Sequence, residues 1–173
     1  RDALQLYKTK VLAIITTTSC VAPRVPDAVD HVARLCHEYN VHHIVNHAYG
    51  LQCQRTCKLL NRAMTVGRVD AIVVSTDKNF LVPVGGALVL SPRSNVIQKV
   101  SKTYAGRASG SPIVDLFITL LSMGMAGYKK LLEERQSILN TFPERLAQVA
   151  ESYGERLLKC DSNTISFGIT LDG

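Results

Sequence analysis

The chain has 173 residues, 46% hydrophobic and 20% charged, which excludes disorder and collagen-like repeats and suits one core of about 100–200 residues. Lys and Arg number 20 against 14 Asp and Glu, and this net +6 points weakly to an anionic partner such as RNA or a phosphorylated substrate. The longest uncharged apolar run falls far short of the ~20 residues of a membrane span, and no signal-peptide pattern opens the chain. The sequence begins on Arg1 without Met and stops after a strand-like run, which reads as a piece of a longer protein. The five cysteines, Cys20, Cys36, Cys53, Cys57 and Cys160, are an odd set without a secretory signal, so structural thiols in a reducing, cytoplasmic compartment are expected. Cys53 and Cys57 lie four apart near His42, His43 and His47, but no second closely spaced cysteine pair completes a zinc pattern, and no metal is expected.

In chain order, residues 11–16 form an apolar, β-branched run that predicts a buried strand. Pro26-Asp27 opens a helical pattern with Val29, Val32, Ala33, Leu35 and Cys36 on one side, ending at Asn40. Residues 43–46 predict a second strand, 51–64 a helix capped near Gly67, 71–75 a third strand and 86–90 a fourth. This alternation predicts βαβ units: an α/β fold with a mostly parallel sheet and helices on both faces. Beyond Pro92 the pattern turns helical, over 94–102 and then from Ser111-Pro112 toward Tyr153, with interruptions expected near Gly124, Gly127 or Pro143. Residues 165–171 predict a last strand.

Ligands of open α/β sheets sit beyond the carboxyl ends of the strands. Those ends carry Thr16-Thr17-Thr18-Ser19, Asn46-His47-Ala48-Tyr49 and Ser75-Thr76-Asp77-Lys78-Asn79. Lys78 stands between an apolar strand and Phe80-Leu81-Val82-Pro83; apolar surroundings would lower its pKa and free its amine for a Schiff base, the attachment pyridoxal phosphate asks for. A lysine reaching out to solvent from a strand end is the plainer reading. Ser75 and Lys78 also spell S-x-x-K, but the S-D-N and K-T-G companions of penicillin-binding enzymes are absent from the sequence. Ser75 joins Lys78 and Asn46 as a candidate cofactor contact. Asn46 stands where a partner for the pyridine nitrogen belongs; an amide hydrogen-bonds that nitrogen without stabilising its protonated form, a milder sink that suffices when the leaving group is phosphate. Arg107, among the small residues of Gly106-Arg107-Ala108-Ser109, is free to form bidentate bonds to a phosphate.

These segments closely resemble the family of O-phosphoseryl-tRNA(Sec):selenocysteinyl-tRNA synthases. The resemblance is carried by Thr17-Thr18-Ser19-Cys20-Val21-Ala22-Pro23, His43-Ile44-Val45-Asn46-His47-Ala48-Tyr49-Gly50, Asp77-Lys78-Asn79-Phe80-Leu81-Val82-Pro83-Val84-Gly85-Gly86 and Gly106-Arg107-Ala108-Ser109. Gly127-Tyr128-Lys129-Lys130 and Tyr153-Gly154-Glu155-Arg156 continue it in the same order. It implies a fold-type-I pyridoxal-phosphate transferase, with residues 1–173 the central part of its large catalytic domain and the amino-terminal part and carboxy-terminal small domain absent. Lys78 would carry the cofactor, Asn46 would line its pocket and Arg107 would hold the substrate phosphate. Freed Lys78 would then take the α-proton, β-elimination would expel phosphate, and selenophosphate would add to dehydroalanyl-tRNA. The resemblance further implies a homotetramer, tRNA(Sec) as partner, and little turnover by this chain alone. Where the family carries a tRNA-contacting arginine before Val-Gly-Arg this chain has Thr65, so Arg62 and Arg68 are the candidate tRNA contacts. The competing readings are another fold-type-I enzyme of decarboxylase or desulfurase type, which usually keeps an Asp where Asn46 stands, and a non-catalytic tRNA-binding or antigenic module.

Overall fold

A computed structural model describes residues 1–173 apart from Ala105, Arg107, Ala108, Asp161, Gly173 and the side chain of Lys8. Helix α1 (Asp2–Tyr7) leads into β1 (Ala13–Thr17), α2 (Val29–Glu38), β2 (His42–Asn46), a 3-10 turn (Gly50–Gln52), α3 (Gln54–Val66) and β3 (Ala71–Ser75). The short α4 (Thr76–Phe80), β4 (Ala87–Leu90), α5 (Ser94–Thr103), α6 (Ser111–Leu139) and α7 (Phe142–Ser152) follow.

The sheet runs in the order β1-β2-β3-β4. β1 pairs parallel with β2, Thr17 opposite Asn46, and β2 parallel with β3, Asn46 opposite Val73. Because each new strand is added on the same side, two right-handed crossovers place α2 and α3 on one face, where they pack against each other. Both helices bury one stripe: Val29, Ala33 and Cys36 from α2, and Thr56, Leu60 and Ala63 from α3. They meet Val45, Ile72 and Val74, and Val29, Ala33, Ala63, Val45 and Val74 are fully buried. Each such valine contributes about 1.5–3 kcal/mol of burial. The opposite face carries Ile15, which is 67% exposed. Gly67 closes α3 in extended backbone, and a Cβ there would lie 2.3 Å from the Ala33 carbonyl carbon; glycine lets the two helices approach this closely.

Four expectations change. Asp27 does not open α2: its backbone N–H donates to Thr17 O at 3.0 Å and its carboxylate accepts from Thr17 N at 2.7 Å, so it closes the end of β1 and α2 starts at Val29. β4 is antiparallel to β3, since the α4 segment between them is too short for the crossover a parallel pair needs. Residues 165–171 form no strand among the described residues, only a Leu157–Ile169 bridge. The N–H groups of Ile165 and Ser166 are taken by Asn163 Oδ1, and those of Leu158 and Thr170 by Gly168 and Arg156 carbonyls, so this segment folds back on itself. α6 is long and apolar enough to cross a membrane by length and composition, but its backbone leaves the helical region at Gly124 (φ 64°, ψ 173°). Of the interruptions the sequence offers, Gly124 is a kink and Pro143 instead lies in the first turn of α7.

At the amino ends of β2 and β3 lies a saturated polar cluster. The Asp70 carboxylate, 4% exposed, accepts from Arg68 Nε at 2.7 Å, His43 N at 2.9 Å and Arg93 at 3.3 Å. Arg68 also donates to Asn40 Oδ1 and His42 Nδ1, both at 2.6 Å. Burial works to raise the Asp70 pKa, but the hydrogen bonds from Arg68 and His43 and the positive charge of Arg68 outweigh it and hold the carboxyl at about 2. Its stabilising contribution is therefore present above the ordinary carboxylate pKa and fades as pH falls toward 2. Asp70→Ala leaves Arg68 buried without its anion, and chemical denaturation of the full-length protein at neutral pH is expected to show a loss of about 3–5 kcal/mol.

Candidate functional site

The carboxyl ends of β2 and β3 are held together through one residue, Ala48. Ala48 O accepts from Ser75 N at 3.3 Å and from Asn79 Nδ2 at 2.7 Å, while Ala48 N donates to Asn46 Oδ1 at 3.1 Å. This brings the Asn46 segment and the Lys78 turn side by side. With Oδ1 of Asn46 committed to a donor, the polar group left on that side chain is its Nδ2 amino group.

Lys78 lies on α4 and is exposed, not enclosed by the apolar residues that follow it. Its Nζ donates to Ser75 Oγ at 3.2 Å and sits 5.0 Å from the centre of the Tyr49 ring, within cation–π range. Ser75 Oγ gives its proton to Asp77 Oδ1 at 2.9 Å, so its lone pairs face the lysine. The backbone of the turn is held from outside: Gln52 Nε2 donates to Lys78 O at 3.1 Å and Tyr128 OH to Asn79 O at 3.2 Å. Phe80 packs on the Tyr128 ring at 5.7 Å between centroids.

Among the described residues, Ser19 Oγ, Thr76 Oγ1 and Asn79 Oδ1 are buried side-chain atoms without a hydrogen-bond partner. All three belong to the strand-end segments, and an unpaired buried hydroxyl or carbonyl costs stability unless something completes it. Gly86 lies against Thr76, where a Cβ would stand 2.5 Å from Oγ1. Amide, hydroxyl and lysine groups on these strand-end segments are of the chemistry that a polar organic cofactor would need.

Arg107 lies outside the described residues. Arg62 is on the surface, 64% exposed at its side chain and 3.1 Å from Asp30. Arg68 is 8% exposed and spent on Asp70, Asn40 and His42 at the other end of the sheet, so the structure does not offer it to a tRNA. Thr65 bonds back to Asn61 O. The residues that sequence reasoning missed are Tyr49, Asp77, Gln52 and Tyr128. Tyr49 and Asp77 stand inside the segments already singled out, whereas Gln52 and Tyr128 reach the turn from elements remote in sequence and leave no local pattern.

The histidines are structural. His43 is fully buried; its Nδ1 donates to Arg68 O at 2.9 Å, so Nε2 accepts from Thr16 Oγ1 at 2.8 Å. His47, also fully buried, lies 2.8 Å from Thr18 Oγ1 through Nδ1 and 3.9 Å from Cys57 Sγ through Nε2. Burial pushes the Cys36 thiol up to about 11 and raises that of Cys57.

A profile of the family described as O-phosphoseryl-tRNA(Sec) selenium transferase matches residues 2–173. The chain belongs to this family. The O-phosphoseryl-tRNA(Sec) selenium transferase of Dictyostelium discoideum is 49% identical over 162 residues, covering 93% of this chain and 34% of the relative. The chain thus spans about a third of that relative's length. The crystal structure of an archaeal O-phosphoseryl-tRNA(Sec) selenium transferase superposes with a TM-score of 0.90 at 31% identity, over 99% of this chain and 40% of that one. The sphingosine-1-phosphate lyase of Burkholderia pseudomallei superposes over 99% of this chain and 42% of its own, with a TM-score of 0.73 at 16% identity, a likeness of fold alone. The fold shared with these structures is mixed α/β, here with a mostly parallel four-stranded sheet.

Burial lowers the His47 pKa from 6.5 to about 4, and lowers that of His43 in the same direction. The unfolded chain therefore takes up protons between pH 6.5 and pH 4 that the folded chain refuses, so stability is full above pH 6.5 and falls across this window. The expected share from His47 is about 3 kcal/mol. Urea unfolding of the full-length protein across that range should show this loss, and His47→Gln, which cannot take the proton, should reduce it to the share of His43.

Proposed function

We propose that this chain supplies the cofactor-lysine side of a pyridoxal-phosphate site that converts O-phosphoseryl-tRNA(Sec) to selenocysteinyl-tRNA(Sec) with selenophosphate. The observation that carries the reading is Lys78 Nζ resting on Ser75 Oγ at 3.2 Å, in a turn bonded through Ala48 O to the Asn46 segment. When bound, pyridoxal phosphate supplies an electron sink for the pair left at the substrate's Cα when its proton departs.

Asn46 has its amide oxygen taken by Ala48 N, so Nδ2 would be the group to serve the ring nitrogen of the cofactor. A donor there requires the nitrogen to stay unprotonated, which moderates the sink; phosphate, a good leaving group, makes a stronger one unnecessary. Lys78, once free, is the base for the α-proton, and its amine stays within reach because Ser75 Oγ accepts one of its N–H bonds. The ammonium that forms lies over the Tyr49 ring, an attraction of about 0.5–2 kcal/mol. Exposure of Lys78 suits a substrate as large as an aminoacyl-tRNA.

Arg107 enters on the resemblance alone, as the ligand of the substrate phosphate. Arg62 is the surface arginine proposed to meet tRNA phosphate, exchanging Asp30 for it. The homotetramer and the cytoplasmic location belong to the same proposal; Ile113, Phe117 and Leu121 on α6, each more than 60% exposed at helical spacing, support burial against another part of the assembly.

Lys78→Ala in the full-length protein is expected to abolish the visible absorbance band of lysine-bound cofactor and to lower conversion of phosphoseryl-tRNA by about 10²–10⁴-fold. An unchanged band would remove Lys78 from the role.

A further inference from the structure

The turn that carries Lys78 cannot hold its own shape. α4 runs for 5 residues, and the last four carbonyls of any helix have no partner inside it. Leu81, which follows, sits in the left-handed region at φ 58°, ψ 39°, a conformation a branched side chain adopts only when its surroundings impose it. The Lys78 carbonyl is satisfied by Gln52 Nε2, from the turn before α3. Gln52 is in turn set by Arg135 of α6, whose Nε donates to Gln52 Oε1 at 3.0 Å. A guanidinium has only donors, so it admits one orientation of the amide: oxygen toward Arg135 and nitrogen toward Lys78 O. Arg135 is fixed by a second bond, from its terminal nitrogen to Thr164 O at 2.5 Å, and is partly buried.

We propose that Gln52, oriented by Arg135, is a positioning residue for Lys78: it holds the lysine's peptide carbonyl so that the ε-amine stays aimed at the reacting carbon. The inference rests on the reading of Lys78 as the cofactor lysine. Its consequence is a division of labour within one amide, in which the oxygen ties α6 to the core and the nitrogen acts on the lysine.

That division supplies the test. Gln52→Glu keeps an acceptor for Arg135 and exchanges the donor to Lys78 O for a carboxylate oxygen that cannot bond it. In the full-length protein loaded with pyridoxal phosphate, the visible band at saturating cofactor and the melting temperature are expected to match wild type. Turnover should fall about 10- to 100-fold with KM for phosphoseryl-tRNA unchanged, the loss that a misplacement of about 1 Å brings. Gln52→Met, which loses both bonds at similar size, should lose at least as much turnover. Wild-type kcat in either variant overturns the inference, as does a fall in kcat matched by a fall in melting temperature in Gln52→Glu. Lys78→Ala separates the two levels. If it keeps the band, the cofactor-lysine reading fails and the inference falls with it; if it loses the band while Gln52→Glu keeps kcat, only the inference falls.

Discussion

One residue, Ala48, carries the arrangement on which the site depends. Its N–H fixes the Asn46 amide, and its carbonyl accepts both the backbone of Ser75 and the side chain of Asn79. Parallel pairing brings β2 and β3 to the same end of the sheet, but a strand pair alone does not fix what happens beyond its last rung. The Ala48 carbonyl extends the ladder past the strands and turns a shared edge into a shared site. Asn79 then works at both ends, donating through Nδ2 to Ala48 O and Ser75 O while its own carbonyl receives Tyr128.

The two ends of the sheet are built on opposite terms. At the amino end, Asp70 has three donors and Arg68 has three acceptors, and the group of charges is closed. At the carboxyl end, Ser19, Thr76 and Asn79 each keep a buried polar atom without a partner. A folded chain leaves such atoms unmade only where something else completes them or where the surrounding structure forces them. The saturated end supplies stability, and the unsaturated end supplies binding capacity.

Much of this was legible in the sequence because it is written in short-range patterns. The β-branched runs gave the four strands, the apolar side from Val29 to Cys36 gave α2, and the polar strand ends pointed to Asn46, Ser75 and Lys78. What stayed hidden depends on partners far along the chain. Arg68 reads as a surface arginine beside Arg62 until His42, Asn40 and Asp70 fold around it. The run at 165–171 reads as a strand because apolar residues stand at every second position, yet Asn163 takes the N–H groups a neighbouring strand would have bonded. For Lys78 the sequence left both an apolar setting and a reach to solvent open; the side chain is exposed, and α4 turns it back onto Ser75 and the Tyr49 ring. Gln52 and Arg135 carry no pattern at all, since 83 positions separate them.

α6 joins these levels, and the break at Gly124 explains how one element serves two surroundings. Before the break, Ile113, Phe117 and Leu121 form an exposed apolar stripe suited to packing against another surface. After it, Tyr128 and Arg135 turn inward, one to the carbonyl of Asn79 and the other to Gln52 and Thr164. A straight helix would carry one stripe along its whole length; a left-handed residue in the middle lets the second half face the core independently of the first. Glycine at 124 is what permits that φ, so the orientation of Tyr128 and Arg135 toward the lysine turn follows from a single residue that touches neither.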